Sequence, residues 1–90
     1  MEDRLIERAV VLASKHGLHA RPAADLVRLA GKFRSDIKLT KEDITVDAKS
    51  IMGVMMLAAE CGSELILTVE GTDEEEAMEA VAHFLETESE

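Results

Sequence analysis

Residues His16–Phe33 read HGLHARPAADLVRLAGKF, and the fold turns on how this stretch is read. After Pro22 the residues Ala23, Leu26, Val27, Ala30 and Phe33 recur at the three- and four-residue spacing of one buried helical face. Arg21, Asp25, Arg28 and Lys32 fall on the opposite side, because each residue turns the chain by about 100°. Pro22 suits a first turn, where its missing N–H is not needed, and Gly31 weakens the last turn. An amphipathic helix of this kind must lie on an apolar layer. The flanking segments supply one.

Upstream, Leu5–Leu12, LIERAVVL, is rich in branched residues and predicts a strand. Downstream, Ile37–Leu39 and Ile44–Ala48 predict two short strands joined as a hairpin across TKED. Ser50 precedes the apolar run IMGVMMLAA, too long for a strand, which reads as a short helix with a serine cap. Gly62 ends it, and Leu65–Val69, LILTV, is a further strand. Beyond Gly71, Thr72 and Glu75 have the spacing of a capping box. Asp73, Glu74, Glu75 and Glu76 favour the positive end of a helix dipole, and Ala77, Val81, Phe84 and Leu85 give that helix one apolar face. The order βαββαβα predicts an α+β domain of two layers, a sheet with its helices on one face.

Composition sets the outer limits. Ninety residues predict a single domain spanning 1–90, and 47% hydrophobic residues are enough for a core. Aromatics are only 2%, so aliphatic side chains, Met and Ala must fill that core. No apolar run approaches the roughly 20 residues of a membrane span, and the charged N-terminus MEDRLIERAV has no signal-peptide pattern. A cytoplasmic protein without a membrane association is the expectation. Cys61 is the sole cysteine, which excludes an internal disulfide and a thiolate metal cluster.

Net charge is −9 but unevenly spread. All ten Lys and Arg lie within residues 1–49, which carry +2, whereas residues 50–90 carry −11. Ser14–Arg34 holds five basic residues to one acid. The total argues against nucleic-acid binding, and the local basic patch fits an anionic ligand or an acidic partner face.

Two constellations carry chemistry. At His19-Ala20-Arg21-Pro22 a helix start offers unpaired N–H groups and partial positive charge, which hold anions. A histidine just ahead of it could receive a phosphoryl group on a ring nitrogen, with Arg21 and the helix end offsetting the charge. Spacing alone also fits a solvent-facing histidine beside a surface arginine, and by itself favours that plainer reading. His16 and His19, with Cys61, fall short of the three or four ligands of a metal site, and Gly17 between the histidines favours a turn. His83 reads as a solvated residue off the apolar face of the last helix. The second constellation is Ser50 with Ile51, Met52, Gly53, Val54, Met55 and Met56. A short helix on a sheet buries one side only, so an all-round apolar run leaves an exposed, methionine-rich patch. Phosphorylation at Ser50 would set negative charge beside it. A capped core helix is the plainer alternative.

Taken together, GLHARPAADLV and AKSIMGVMML resemble the HPr family, the histidine-containing phosphocarriers of the bacterial phosphoenolpyruvate-dependent sugar phosphotransferase system. The similarity runs from Ile6 to about Leu85. It implies an open-faced β-sandwich with a four-stranded antiparallel sheet and three helices. It implies that His19 is the phosphohistidine, loaded on Nδ1 by phospho-enzyme I and unloaded by IIA domains. Arg21 then matches the arginine beside the phosphoryl group and Pro22 the proline opening the first helix. Ser50 matches the serine phosphorylated by the HPr kinase/phosphorylase. Ile51, Met52 and Met55 match the apolar docking patch, and Arg28 and Lys49 match basic contact positions.

The resemblance further implies a monomeric carrier without cofactor or metal, which passes a group on and turns over no substrate alone. Gly31, the acidic second half and Glu60-Cys61 depart from the usual pattern and bear on partner choice. Two other readings stay open. One is a nitrogen-related phosphotransferase regulator, against which the apolar Ser50 segment argues. The other is a noncatalytic adaptor whose phosphorylated Ser50 binds a catabolite-control transcription factor, a class in which the histidine is usually lost.

Overall fold

The computed structural model describes residues 5–87. Its elements are β1 (Leu5–Val11), α1 (Ala20–Ala30), β2 (Asp36–Lys41), β3 (Ile44–Asp47), α2 (Ile51–Met56), β4 (Glu64–Glu70) and α3 (Glu74–Glu86). The four strands form one antiparallel sheet in the order β1-β4-β2-β3. The expected βαββαβα order and open-faced α+β architecture are both present.

Alternation along the strands decides which face is covered. Val10, Ile37, Leu39, Leu65, Leu67 and Val69 point inward and are buried. Register aligns them, with Val69 opposite both Ile6 and Ile37 and Leu67 opposite Arg8 and Leu39. Their neighbours, among them Glu7, Lys38, Asp47 and Glu64, stand on the opposite, open face. Onto the inner face α1 brings Ala23, Leu26 and Ala30, α2 brings Val54, and α3 brings Ala77, Met78, Val81, Ala82 and Leu85. Burying each large aliphatic side chain contributes about 1.5–3 kcal/mol. Val27, Phe33 and Phe84 pack at the margin of this core, half-buried.

Four local readings are corrected. The first strand ends at Val11, one residue early. Pairing in the hairpin continues through Thr40–Thr45 and Lys41–Ile44, so only Glu42-Asp43 form its turn, with Glu42 at φ 56°. The second helix stops at Met56, because Ala58 takes a left-handed φ of 52° just past its C-cap. The third helix begins at Glu74 with Asp73 as N-cap, so Thr72 and Glu75 form no capping box.

Asp73 is engaged elsewhere. Its carboxylate accepts from the Arg34 N–H (2.9 Å), the Ser35 N–H (2.9 Å) and the Ser35 hydroxyl (2.6 Å). The start of α3 is thereby tied to the segment that enters β2. Gly71 lies against fully buried Ser35 so closely that a Cβ there would meet its Cα and Oγ at 2.5 Å. These bonds, the Ser35 hydroxyl first, lower the Asp73 pKa to about 2. None of the described helices is long and apolar enough to cross a membrane.

Candidate functional site

The site is built on the turn between β1 and α1. Ser14 is buried, accepts the Gly17 N–H at 3.1 Å through its carbonyl, and donates its hydroxyl to the Gly17 carbonyl at 3.2 Å. Gly17 has φ +78°, and a Cβ there would fall 2.4 Å from the Ala59 carbonyl oxygen. The Leu18 N–H donates to that same oxygen at 3.0 Å, and the Leu18 side chain is buried. The turn is therefore pinned to the chain that leaves α2.

On this support His19 takes the N-cap of α1. Its backbone is extended (φ −93°, ψ −162°), its carbonyl accepts the Ala23 N–H at 2.8 Å, and its ring makes no capping bond. Pro22 follows as the third helical residue, inside the first turn as its missing donor requires. The N–H groups of Ala20 and Arg21 have no partner within the helix. His19 and Arg21 are both exposed. The exposed His16 ring stands 6.1 Å from that of His19, centroid to centroid, with the planes at 76°. Both line a shallow depression with Leu18, Met55, Ala58 and Glu60. An exposed imidazole at a helix start whose first amides have no partner within the helix can take up a tetrahedral anion without burying its charge. Arg21 does not line the depression.

The basic residues expected to contact partners have partners of their own. Arg28 pairs with Asp25 at 3.0 Å, both exposed. Half-buried Lys49 donates from Nζ to the Phe33 carbonyl at 2.8 Å, closing the chain just past α1. Arg21 enters none of the ion pairs among the described residues. No group of three His, Cys, Asp or Glu side chains among them could hold a metal ion.

Ser50 caps α2, its hydroxyl oxygen accepting the Gly53 N–H at 3.1 Å. Val54 is the residue that α2 buries. Ile51 (42%), Met52 (71%), Met55 (44%) and Met56 (70%) remain exposed, so the all-round apolar run does produce a surface patch. Met55 belongs to this patch and to the histidine depression, which makes the two continuous. Met56, the last methionine of that run, is as open as Met52 and belongs to the patch, although it is not among the docking positions that the family resemblance implies. Ala58 and Glu60 had no local signal, because only tertiary folding brings them to His19. Cys61, next to Glu60, is an exposed free thiol.

Comparison with known proteins agrees with this geometry. Residues 6–87 match the family described as PTS HPr component phosphorylation site. The phosphocarrier protein HPr of Cupriavidus necator is 51% identical over 77 residues, covering 86% of each chain. The HPr-like protein Crh of Halalkalibacterium halodurans is 49% identical over 84 residues, 93% of this chain and 100% of Crh. The crystal structure of HPr from Bacillus anthracis superposes with a TM-score of 0.88 at 47% identity, covering 90% of this chain and 96% of that one. A helix mouth with an exposed histidine, an open-faced sandwich and these relatives converge: the chain belongs to the HPr family of phosphocarriers of the phosphotransferase system.

Proposed function

We propose that His19 is the phosphoryl acceptor, loaded by phospho-enzyme I and unloaded by IIA domains during sugar uptake. A ring nitrogen lone pair attacks phosphorus, the bond from phosphorus to the donor breaks, and the donor leaves with its electron pair. Arg21 and the Ala20 and Arg21 amides receive the negative charge that arrives with the group. The observation that carries this reading is the exposed His19 ring at an N-cap whose backbone alone does the capping. The chain is a monomeric carrier that needs no cofactor and turns over no substrate by itself.

The Met-rich surface supports a docking role. Ile51, Met52, Met55 and Met56 lie exposed beside the depression that holds His19, so a partner covering one covers the other. Pro22 and Arg28 on α1, and Lys49 just ahead of α2, contribute to that contact. Ser50 at the patch edge is the regulatory site, phosphorylated by an HPr kinase/phosphorylase. The identity with Crh favours one second reading, an adaptor for a catabolite-control transcription factor acting through Ser50 alone.

Incubation with phosphoenolpyruvate and enzyme I, followed by intact mass under alkaline conditions, separates the two. The carrier gains one acid-labile phosphoryl group, His19→Ala gains none, and His16→Ala is still labelled when the donor is in excess. Unchanged labelling of His19→Ala overturns the acceptor assignment. An unlabelled wild-type chain leaves the adaptor.

A further inference from the structure

His16 is the member of the opening motif to which the carrier reading gives no task. It is exposed on the β1–α1 turn, its ring 6.1 Å from that of His19 and set nearly perpendicular to it. The turn beneath it is held by the Ser14–Gly17 bonds, by the Leu18 N–H on the Ala59 carbonyl, and by the close approach of Gly17 to Ala59. None of those contacts uses the His16 side chain. The fold thus fixes the backbone that carries this imidazole while asking nothing of its side chain structurally.

The rings stand 6.1 Å apart, centroid to centroid, which is close enough for a group carried at the edge of one to reach the edge of the other. A phosphoryl group on a His19 ring nitrogen carries its oxygens past the ring edge. A bond from a His16 ring N–H to an oxygen on the turn side would have the usual charge-assisted length of about 2.7–2.9 Å. The first amides of α1 face the anion from the helix side. Glu60, on the rim of the same depression, has the same sign of charge as the group, so a donor from the turn offsets it. We propose that His16 is a positioning residue of the phosphorylated state, donating a ring N–H to an oxygen of the phosphoryl group on His19. This rests on the acceptor role of His19.

The test is an equilibrium. Phospho-enzyme I freed of phosphoenolpyruvate is mixed with wild type, His16→Ala or His16→Gln, and the phosphorylated fraction of each is read by intact mass. The equilibrium constant depends only on the free proteins and their phosphorylated forms, so a change in docking alters the rate and leaves it untouched. Loss of one exposed hydrogen bond to a charged group lowers it about fivefold in His16→Ala. His16→Gln, which keeps a donor of similar reach, stays within about twofold of wild type. A constant for His16→Ala within about 1.5-fold of wild type overturns the proposal, whatever the rate does. An equal fall in both variants overturns it too, because the effect then follows the shape of the side chain and not its donor. Failure of the acceptor reading looks different: label persists in His19→Ala, or wild type takes none, and the role of His16 falls with it.

Discussion

Arg21 is the second residue of α1, exposed and outside the ion pairs of the described residues. Reversing its charge removes an attraction for the phosphoryl group and adds a repulsion. Arg21→Glu is expected to slow transfer from enzyme I by about tenfold or more, each factor of ten needing only ~1.4 kcal/mol. Lys38→Glu, on the open face of the sheet, makes the same formal change away from the site and should leave the rate within about twofold, measured by rapid quench at fixed salt. Equal losses would reduce the effect to net charge. Ala58 offers a separate test, because its φ of 52° is one that glycine adopts without strain. Relief of that strain, less the extra chain entropy of glycine, predicts that Ala58→Gly stabilises the fold by about 0.5 kcal/mol in urea titrations. At this scale the sequence was legible where chemistry is local. His19, Arg21 and Pro22 are near neighbours and could be read together. Ala58 and Glu60 reach the same depression only through tertiary contacts, which no spacing reveals.

Among the elements, α2 joins stability to function. Its cap is one bond, Gly53 N–H to Ser50, and Gly53 itself lies against β3, where a Cβ would come 3.3 Å from the Val46 Cβ. Ser50→Ala is expected to cost about 1 kcal/mol and to leave transfer largely intact. Ser50→Asp keeps a capping oxygen, so Tm stays nearly unchanged, while the charge beside Ile51, Met52 and Met55 raises the apparent KM for this protein in the enzyme I reaction. A folded Ser50→Asp protein with wild-type KM would show that the patch is not where enzyme I docks. The two caps also explain what could be read in advance. Ser50 bonds three residues ahead within its own helix, so the motif and the bond coincide. Asp73 stands at the start of α3, but Ser35 and Arg34 claim its carboxylate across the fold. The Gly71 N–H turns to the Glu74 carboxylate, 3.2 Å away, and the Thr72–Glu75 pattern has no bond to make. The hairpin turn is shorter than TKED for a related reason. Thr40 and Thr45 share a hydroxyl bond of 2.8 Å and extend the pairing, leaving a turn in which Glu42 carries a positive φ that its residue type does not announce.

For the molecule as a whole, the Asp73 contact joins the start of α3 to the entry of β2 and so makes stability depend on acid. A carboxylate whose pKa is lowered from 3.8 to about 2 stabilises the folded state fully above 3.8 and loses that contribution as pH falls through about 2. Asp73→Asn is therefore expected to have a lower Tm at pH 7, with the gap to wild type closing between pH 3.8 and 2. Circular dichroism melts across that range decide it, and a gap that stays constant with pH would mean the charge is irrelevant. Charge is also divided along the chain, with the basic half supplying the histidine turn and the acidic half supplying β4 and α3. Transfer between partners should accordingly slow as salt rises, since the attraction at the basic patch is screened over about 10 Å at 0.1 M. The exposed Cys61 has a practical consequence. It is the chain's one thiol, and it follows Glu60 at the rim of the histidine depression. A maleimide dye thus attaches at a single address without mutagenesis, and the arrival of each partner can be followed as a change in its emission.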